Sequence, residues 1–242
     1  MNWQGKRYWL VGASEGLGRA LAHQISRAGA EVIVSARNAD RLAALVAELP
    51  GPARAVAVDV ASTDSVRAAA AEVGEIDGVV WLAGVYWPMR AQDWDADKVE
   101  QMIDINLTGA ARVLGQVVPG MVARGRGHVV LTGSLAGFRG LPGAIGYGAS
   151  KAGVMALAES MRADLGRSGV LVQLANPGFI RTRLTDMNDF QMPFLMEPDE
   201  AARHMFAQMN RISFAANFPR VFAAMFRLGQ FLPDWMYYRL FR

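Results

Sequence analysis

Short apolar runs alternate along this chain with longer stretches whose apolar residues recur every three or four positions. The short runs are rich in valine, isoleucine and leucine: Arg7 to Val11, Glu31 to Ala36, Arg54 to Val60, Gly78 to Leu82, Gly127 to Gly133 and Val170 to Ala175. They read as strands, and a nearly all-apolar run such as Gly78 to Leu82 suits a parallel sheet covered on both faces. The longer stretches read as helices. Leu17, Leu21, Ile25 and Ala28 share a face after the first strand, and a helix from about Ala39 to Leu49 follows the second. Ser62 offers an N-cap for a helix through Val73, and long helical segments run from Asp97 to about Ala123 and from about Ile145 to Ser168. This alternation predicts right-handed crossovers and an open, doubly wound, mainly parallel α/β sheet.

The junctions between these elements carry the candidate chemistry. Arg7 to Val11 runs directly into Gly12-Ala13-Ser14-Glu15-Gly16-Leu17-Gly18 and then into a helix. Strand, glycine-rich turn and helix is the layout of a dinucleotide site: glycines let the backbone approach a pyrophosphate, and free amides at the helix start receive its charge. The second strand ends in Ala36-Arg37 with no acid, which favours a 2'-phosphate over a free 2'-hydroxyl and hence NADP(H), with NAD(H) as the alternative. The third run ends at Asp59-Val60, the fourth at Ala83-Gly84, and the fifth delivers Ser134. Ligands in such sheets bind outside those ends.

Tyr147 and Lys151 lie four residues apart on one helix, which places both side chains on the same face. An unperturbed tyrosine titrates near pH ~10, so a neighbouring ammonium that favours its phenolate would make it a usable acid or base. Lysine is also rare here: the chain has only Lys6, Lys98 and Lys151, arginine filling its other basic positions. Asn106 sits among apolar neighbours in the long helix, where a buried amide needs partners. After the sixth strand, Asn176-Pro177-Gly178-Phe179-Ile180-Arg181-Thr182 marks a turn beside the same sheet edge.

Composition removes several other classes of function. The absence of cysteine excludes disulfides and thiolate chemistry, and suits a reducing cytoplasm. His23, His128 and His204 have no metal-binding spacing and read as surface residues, so no metal is expected. Net charge is +3 with the arginines spread along the chain, which argues against a nucleic-acid surface. With 242 residues, no linker, no signal-like start and no long apolar run, the expectation is one soluble domain.

Taken in order from Lys6 to Thr182, these stretches resemble the short-chain dehydrogenase/reductase family. The resemblance implies a Rossmann-type fold with about seven strands in a three-layer α/β/α sandwich. It also implies a cofactor site built from Gly12, Ser14, Glu15, Gly16, Leu17, Gly18, Arg37, Asp59, Val60, Ala83, Gly84, Pro177, Gly178, Ile180 and Thr182, with Tyr147 and Lys151 shared with catalysis. Asn106, Ser134, Tyr147 and Lys151 match the family's four catalytic positions. On that pattern Tyr147 exchanges a proton with the substrate oxygen, Lys151 lowers its pKa and holds the nicotinamide ribose, Ser134 binds the substrate oxygen, and Asn106 holds a water leading from Lys151 to solvent. The implied reaction is hydride transfer between the cofactor and a small-molecule carbonyl or alcohol. A non-catalytic nicotinamide-binding protein on this fold is the alternative; epimerase and dehydratase relatives fit the glycine spacing less well. The family commonly forms homodimers or homotetramers.

Two positions depart from the family pattern. Val11 stands where threonine is usual, and Leu82 where asparagine is usual; the expectation is that packing between them replaces a polar contact. Beyond Thr182, residues 183–210 would cover the substrate, and Met187, Met192, Phe194, Leu195 and Met196 suit either an apolar or aromatic substrate or plain core filling. Residues 218–242 form a basic, aromatic extension in which Arg220, Arg227, Arg239 and Arg242 outnumber Asp234. Pro233 interrupts it, so packing on the parent domain or a partner subunit is the first reading and peripheral membrane contact the second.

Overall fold

The computed structural model describes residues 1–187 and 191–240; residues 188–190 and 241–242, Arg242 among them, lie outside the described residues. In chain order the strands are β1 (Arg7–Val11), β2 (Glu31–Ser35), β3 (Ala53–Ala55), β4 (Gly78–Trp81), β5 (Gly127–Thr132), β6 (Val170–Pro177) and β7 (Ala215–Phe218). They form one sheet in the order β3-β2-β1-β4-β5-β6-β7, with every neighbouring pair parallel. The helices are α1 (Gly16–Arg27), α2 (Ala39–Glu48), α3 (Thr63–Val73), α4 (Ala96–Ile103), α5 (Gly109–Ala123), α6 (Ile145–Asp164), α7 (Pro198–Met209), α8 (Arg220–Gly229) and α9 (Asp234–Leu240).

Strand residues alternate between two buried faces. Trp9, Val11, Val79, Trp81, Val129 and Val172 pack against α3, α5 and α6, while Tyr8, Leu10, Val32, Val34, Val80 and Val130 pack against α1, α2 and α7. The result is the three-layer doubly wound sandwich that the alternation of elements implies.

Several boundaries differ from the sequence-based expectation. The third strand pairs only over Ala53–Ala55, yet Val56 and Val58 still donate to Val34 O and Ala36 O, so extended chain continues toward Asp59. The segment from Asp97 to Ala123 is interrupted by a π turn at Asp104–Thr108, an insertion that turns Asn106 to a fully buried position. Val11 and Leu82 do not form the expected packed pair. Val11 belongs to the cluster on one face and Leu82 packs against the other, and a backbone bond from Leu82 N to Val11 O (2.8 Å) ties the two positions together.

The surface expectation for His128 also fails. It is buried, with Nδ1 2.9 Å from the Tyr8 hydroxyl and Nε2 2.8 Å from Gln173 Oε1, because β5 is a central strand with no solvent-facing side. His23 is half-buried and His204 exposed. Among the described residues there is no cluster of potential metal ligands, and no helix is long and apolar enough to cross a membrane.

The extension packs on the parent body through Arg139, in the turn after β5. Arg139 donates to Gly229 O (3.1 Å) and Leu232 O (2.6 Å), pairs with Asp234, and stands 4.0 Å from the Tyr237 ring centre; the Tyr237 hydroxyl reaches Gly140 O at 3.0 Å. This fixes α8 and α9 beside the carboxyl ends of β5 and β6.

Burial holds the His128 pKa down at about 4, against the usual 6.5, despite the opposing bond to Gln173. The unfolded chain therefore binds a proton that the folded one refuses between those values, and stability is lost as pH falls through that window. Urea midpoints should show about 2 kcal/mol less stability from this group at pH 5 than at pH 7.5, and His128→Gln should flatten that region of the profile.

Candidate active site

The strand order reverses between β1 and β4, and the loops leaving those two strands diverge there to open a crevice. Gly12 begins the first loop at φ 96°, and a Cβ on it would lie 2.3 Å from Ala83 N, so only glycine lets the two loops approach this closely. Gly18 is constrained in the same way within the first turn of α1: a Cβ there would lie 2.2 Å from Gly12 O. Glu15, the residue before α1, makes no side-chain cap to the helix, so the first amides of α1 are open toward the crevice.

A cavity of about 920 Å³ runs along these carboxyl ends. Every residue assigned above to the cofactor lines it: Gly12 and Ser14 through Gly18, Arg37 at the end of β2, Asp59 and Val60, Ala83 and Gly84, Tyr147 and Lys151, and Pro177, Gly178, Ile180 and Thr182. The glycine cradle, the uncapped helix start and a cavity long enough to join Arg37 to Lys151 fit a dinucleotide. The buried Thr132 hydroxyl has no partner among the described residues, and Thr132 lines the same cavity.

Charge at the Arg37 end of the cavity is unevenly distributed. Glu15 is paired with Arg41 of α2 (3.0 Å) and with Arg183 of the loop after β6. Arg37 is exposed and makes no ion pair among the described residues, which leaves its guanidinium available to a ligand anion. The motif places Glu15 in the cofactor turn but gives no sign of either arginine, since Arg41 and Arg183 are far from it in the chain.

Near the other end, Ser134, Tyr147 and Lys151 come together. Ser134 follows β5 and hydrogen-bonds the Tyr147 phenol; its Oγ also accepts from Ala136 N at 3.1 Å. Lys151 is buried without a carboxylate among the described residues, donates to Thr132 O at 3.0 Å, and has Nζ 5.7 Å from the Tyr147 ring centre. Burial pushes the Lys151 pKa down to about 8. Burial pushes the Tyr147 phenol up to about 12, with Tyr86 adding to the rise and the Ser134 bond opposing it.

Burial is thus the largest influence on the phenol, and the lowering that opposes it comes from Ser134. With its pKa above the ordinary value, Tyr147 carries its proton at neutral pH. Asn106 is not in the cavity wall but directly behind it. Its Oδ1 accepts from Val85 N (2.7 Å), while Nδ2 donates to Val85 O (3.0 Å) and to Ser150 Oγ (2.9 Å). Both of its donors are used by protein, so the amide clamps the loop after β4 to the tyrosine helix. Ser150, which no sequence motif singles out, completes the clamp by donating to Tyr147 O at 2.8 Å.

A second cavity, of about 510 Å³, meets the first at Tyr147. Its walls include Ser134, Leu135, Met89, Phe179, Phe222 and Phe226, so the space beyond the phenol is largely apolar. Tyr86 borders both cavities and sits edge-on to Tyr147, ring centres 4.9 Å apart; this aromatic partner is invisible in the sequence because nothing local marks the loop after β4. The methionines expected over the substrate divide by position. Met187 lines both cavities, whereas Met196 is buried in the core through a bridge to Ile180, and exposed Phe194 packs on Phe222 with ring centres 5.5 Å apart.

The family model described as short chain dehydrogenase matches residues 6–192. An uncharacterised oxidoreductase of Myxococcus xanthus is 41% identical over 232 residues, covering 93% of this chain and 92% of its own. A 3-oxoacyl-(acyl-carrier-protein) reductase, FabG, of Vibrio harveyi is 34% identical over 79% of this chain and 80% of its own. Among solved structures, a short-chain dehydrogenase from Sphingobium yanoikuyae in complex with NADPH superposes with a TM-score of 0.82 at 26% identity, covering 95% of this chain and 97% of that one.

Removing the clamp should cost stability and order together. Asn106→Ala leaves the Val85 amide, the Val85 carbonyl and Ser150 short of a partner, which should lower unfolding free energy by about 2–4 kcal/mol. Hydrogen exchange at the Val85 amide should accelerate at the same time, whereas Ser150→Ala should cost about 1 kcal/mol and leave that amide protected.

Proposed function

The chain belongs to the short-chain dehydrogenase family, and from that premise we propose that it is an NADP(H)-dependent oxidoreductase interconverting an apolar or aromatic carbonyl compound and its secondary alcohol. The whole chain serves as one catalytic domain in this reading, with Leu184, Thr185 and Met187 of the loop after β6 covering the substrate, while α7 within the expected 183–210 cover packs in the core instead. The observation that carries it is the place of Tyr147, in the wall shared by a dinucleotide-sized cavity and a smaller apolar one.

The bound dinucleotide supplies or accepts the hydride; the chain handles the proton and the geometry. A carbonyl in the smaller cavity is held by the hydroxyls of Ser134 and Tyr147, which aim two donors at the oxygen where negative charge develops. As that charge grows, the Tyr147 phenol donates its proton to the oxygen, and its raised pKa keeps the proton in place until then. Lys151, its position set by Thr132 O, would hold the nicotinamide ribose. Asn106 and Ser150 act on the reaction by fixing the loop after β4 against the helix that carries Tyr147 and Lys151. Met89, Leu135 and the phenylalanines of α8 exclude water from the reacting face.

The preference for NADP(H) rests on Arg37. It is the cationic side chain at the end of β2 that no carboxylate occupies, while the nearby negative charge of Glu15 is taken up by Arg41 and Arg183.

With NADPH and a panel of hydrophobic ketones and aldehydes, turnover followed at the nicotinamide absorbance should fall about 100- to 10,000-fold in Tyr147→Phe; wild-type rates in that variant would overturn the mechanism. Arg37→Asp should raise the KM for NADPH about tenfold to hundredfold and leave that for NADH nearly unchanged. An unaltered ratio of the two would remove the phosphate role.

A further inference from the structure

We propose that the outer face of α8 and the chain leading into α9 dock this protein on an anionic lipid surface. Helix α8 is apolar on two sides. Phe222, Ala223, Phe226 and Gly229 face inward, where Phe222 and Phe226 form a wall of the apolar cavity. Val221, Met225 and Leu228, spaced i, i+4, i+7, face outward and are 68%, 56% and 70% exposed. Farther along the segment Phe231 is 85% exposed and Trp235 70%. Large apolar side chains at this exposure, contiguous along one segment, mark an interaction surface.

The rim identifies what lies on it. Arg220 and Arg227, seven residues apart, share the next face of α8, and Arg239 follows on α9; all three are exposed. Asp234, the one acid among the described residues from 218 to 240, is already paired with Arg139. The surface is thus an apolar stripe with Trp235 and Tyr238 beside it and unneutralised arginines along its edge. Tryptophan, tyrosine and arginine at the margin of buried apolar side chains match the chemistry of the interface between anionic headgroups and acyl chains.

A second copy of this chain fits less well. A twofold contact would enclose the arginine rims of both copies with no free acid from this segment to neutralise them, since Asp234 is already paired with Arg139. Arg139 supplies the rigid attachment that docking needs, since it bonds the carbonyls of Gly229 and Leu232 between the two helices. One helix diameter, about 10 Å, separates the outer stripe from the cavity wall.

Co-sedimentation of the full-length protein with vesicles tests this without reference to turnover. Phosphatidylcholine vesicles containing phosphatidylglycerol should pellet the protein, and phosphatidylcholine alone should retain far less. Arg220→Gln with Arg227→Gln should lower partition onto the anionic vesicles about thirtyfold and not onto the neutral ones. Met225→Ser with Leu228→Ser and Phe231→Ser should lower partition onto both by about tenfold or more. Melting temperature serves as the folding control; should the serine variant fail it, the two-arginine variant, altered only at exposed positions, decides alone. Absence of wild-type binding to anionic vesicles overturns the proposal, as does binding unchanged by the arginine substitutions. A wild-type mass by light scattering that halves in the serine variant, without vesicle binding, assigns the face to a second copy and overturns it equally.

Discussion

The site depends on how closely two backbones approach at the reversal of strand order. Where β1 and β4 run side by side, Gly12 and Ala83 are so near that a single methyl group at Gly12 would lie 2.3 Å from the neighbouring amide nitrogen. That contact fixes the start of α1, and with it the open amides that face the crevice. It also fixes the chain after β4, because Leu82 N is bonded to Val11 O and Val85 is held by both ends of the Asn106 amide. A departure from the family's polar residues at Val11 and Leu82 is tolerable for this reason: main-chain geometry, not a side-chain pair, holds the seam.

The reactive end is arranged around burial. Lys151 is enclosed with a backbone carbonyl as its partner, so its charge is not spent on a nearby carboxylate, and its pKa of about 8 leaves it mostly protonated at neutral pH. Tyr147 is held neutral by the same scarcity of water. Burial therefore moves both members of the pair toward their uncharged forms, the phenol up to about 12 and the ammonium down to about 8. The sequence rule that a lysine four residues on lowers a tyrosine pKa considers the pair alone; desolvation acts on both members, and in this enclosure it is the larger effect.

What is legible in the sequence follows from how local its causes are. Strand and helix alternation, the glycine turn and the Tyr147–Lys151 spacing are set by residues within one or two turns of each other, and the cofactor residues named from them all line one cavity. The π turn at Asp104–Thr108 leaves no mark because its cause is tertiary: the extra residue carries Asn106 to Val85 and Ser150. His128 reads as a surface residue because a polar side chain on a short strand looks exposed until the strand is known to be central and a Gln173 is found beside it. Strand β7, Ala215–Phe218, is too short and too plain to stand out from its surroundings. Arg41 and Arg183 escape notice since each reaches Glu15 from a distant stretch of the chain, one from α2 and the other from the loop after β6.

The extension shows the same limit in a form that bears on substrate choice. The sequence marks it as a basic, aromatic stretch that packs on the body, for which one apolar face would suffice. Helix α8 has two apolar faces instead. The inner one is accounted for by Phe222 against Phe179 and Gly178, and by the cavity in front of Tyr147. The outer one gains nothing from folding, because Met225, Leu228 and Phe231 stay in water, and that gain is left to whatever covers them. A helix built this way separates the reacting cavity from whatever covers its far side, so the medium on the outside and the substrate on the inside are coupled through a single layer of side chains. If that medium is lipid, an apolar carbonyl compound dissolved in it is already concentrated within about one helix diameter of Ser134 and Tyr147, and the apolar lining at Phe222 and Phe226 continues the environment it leaves.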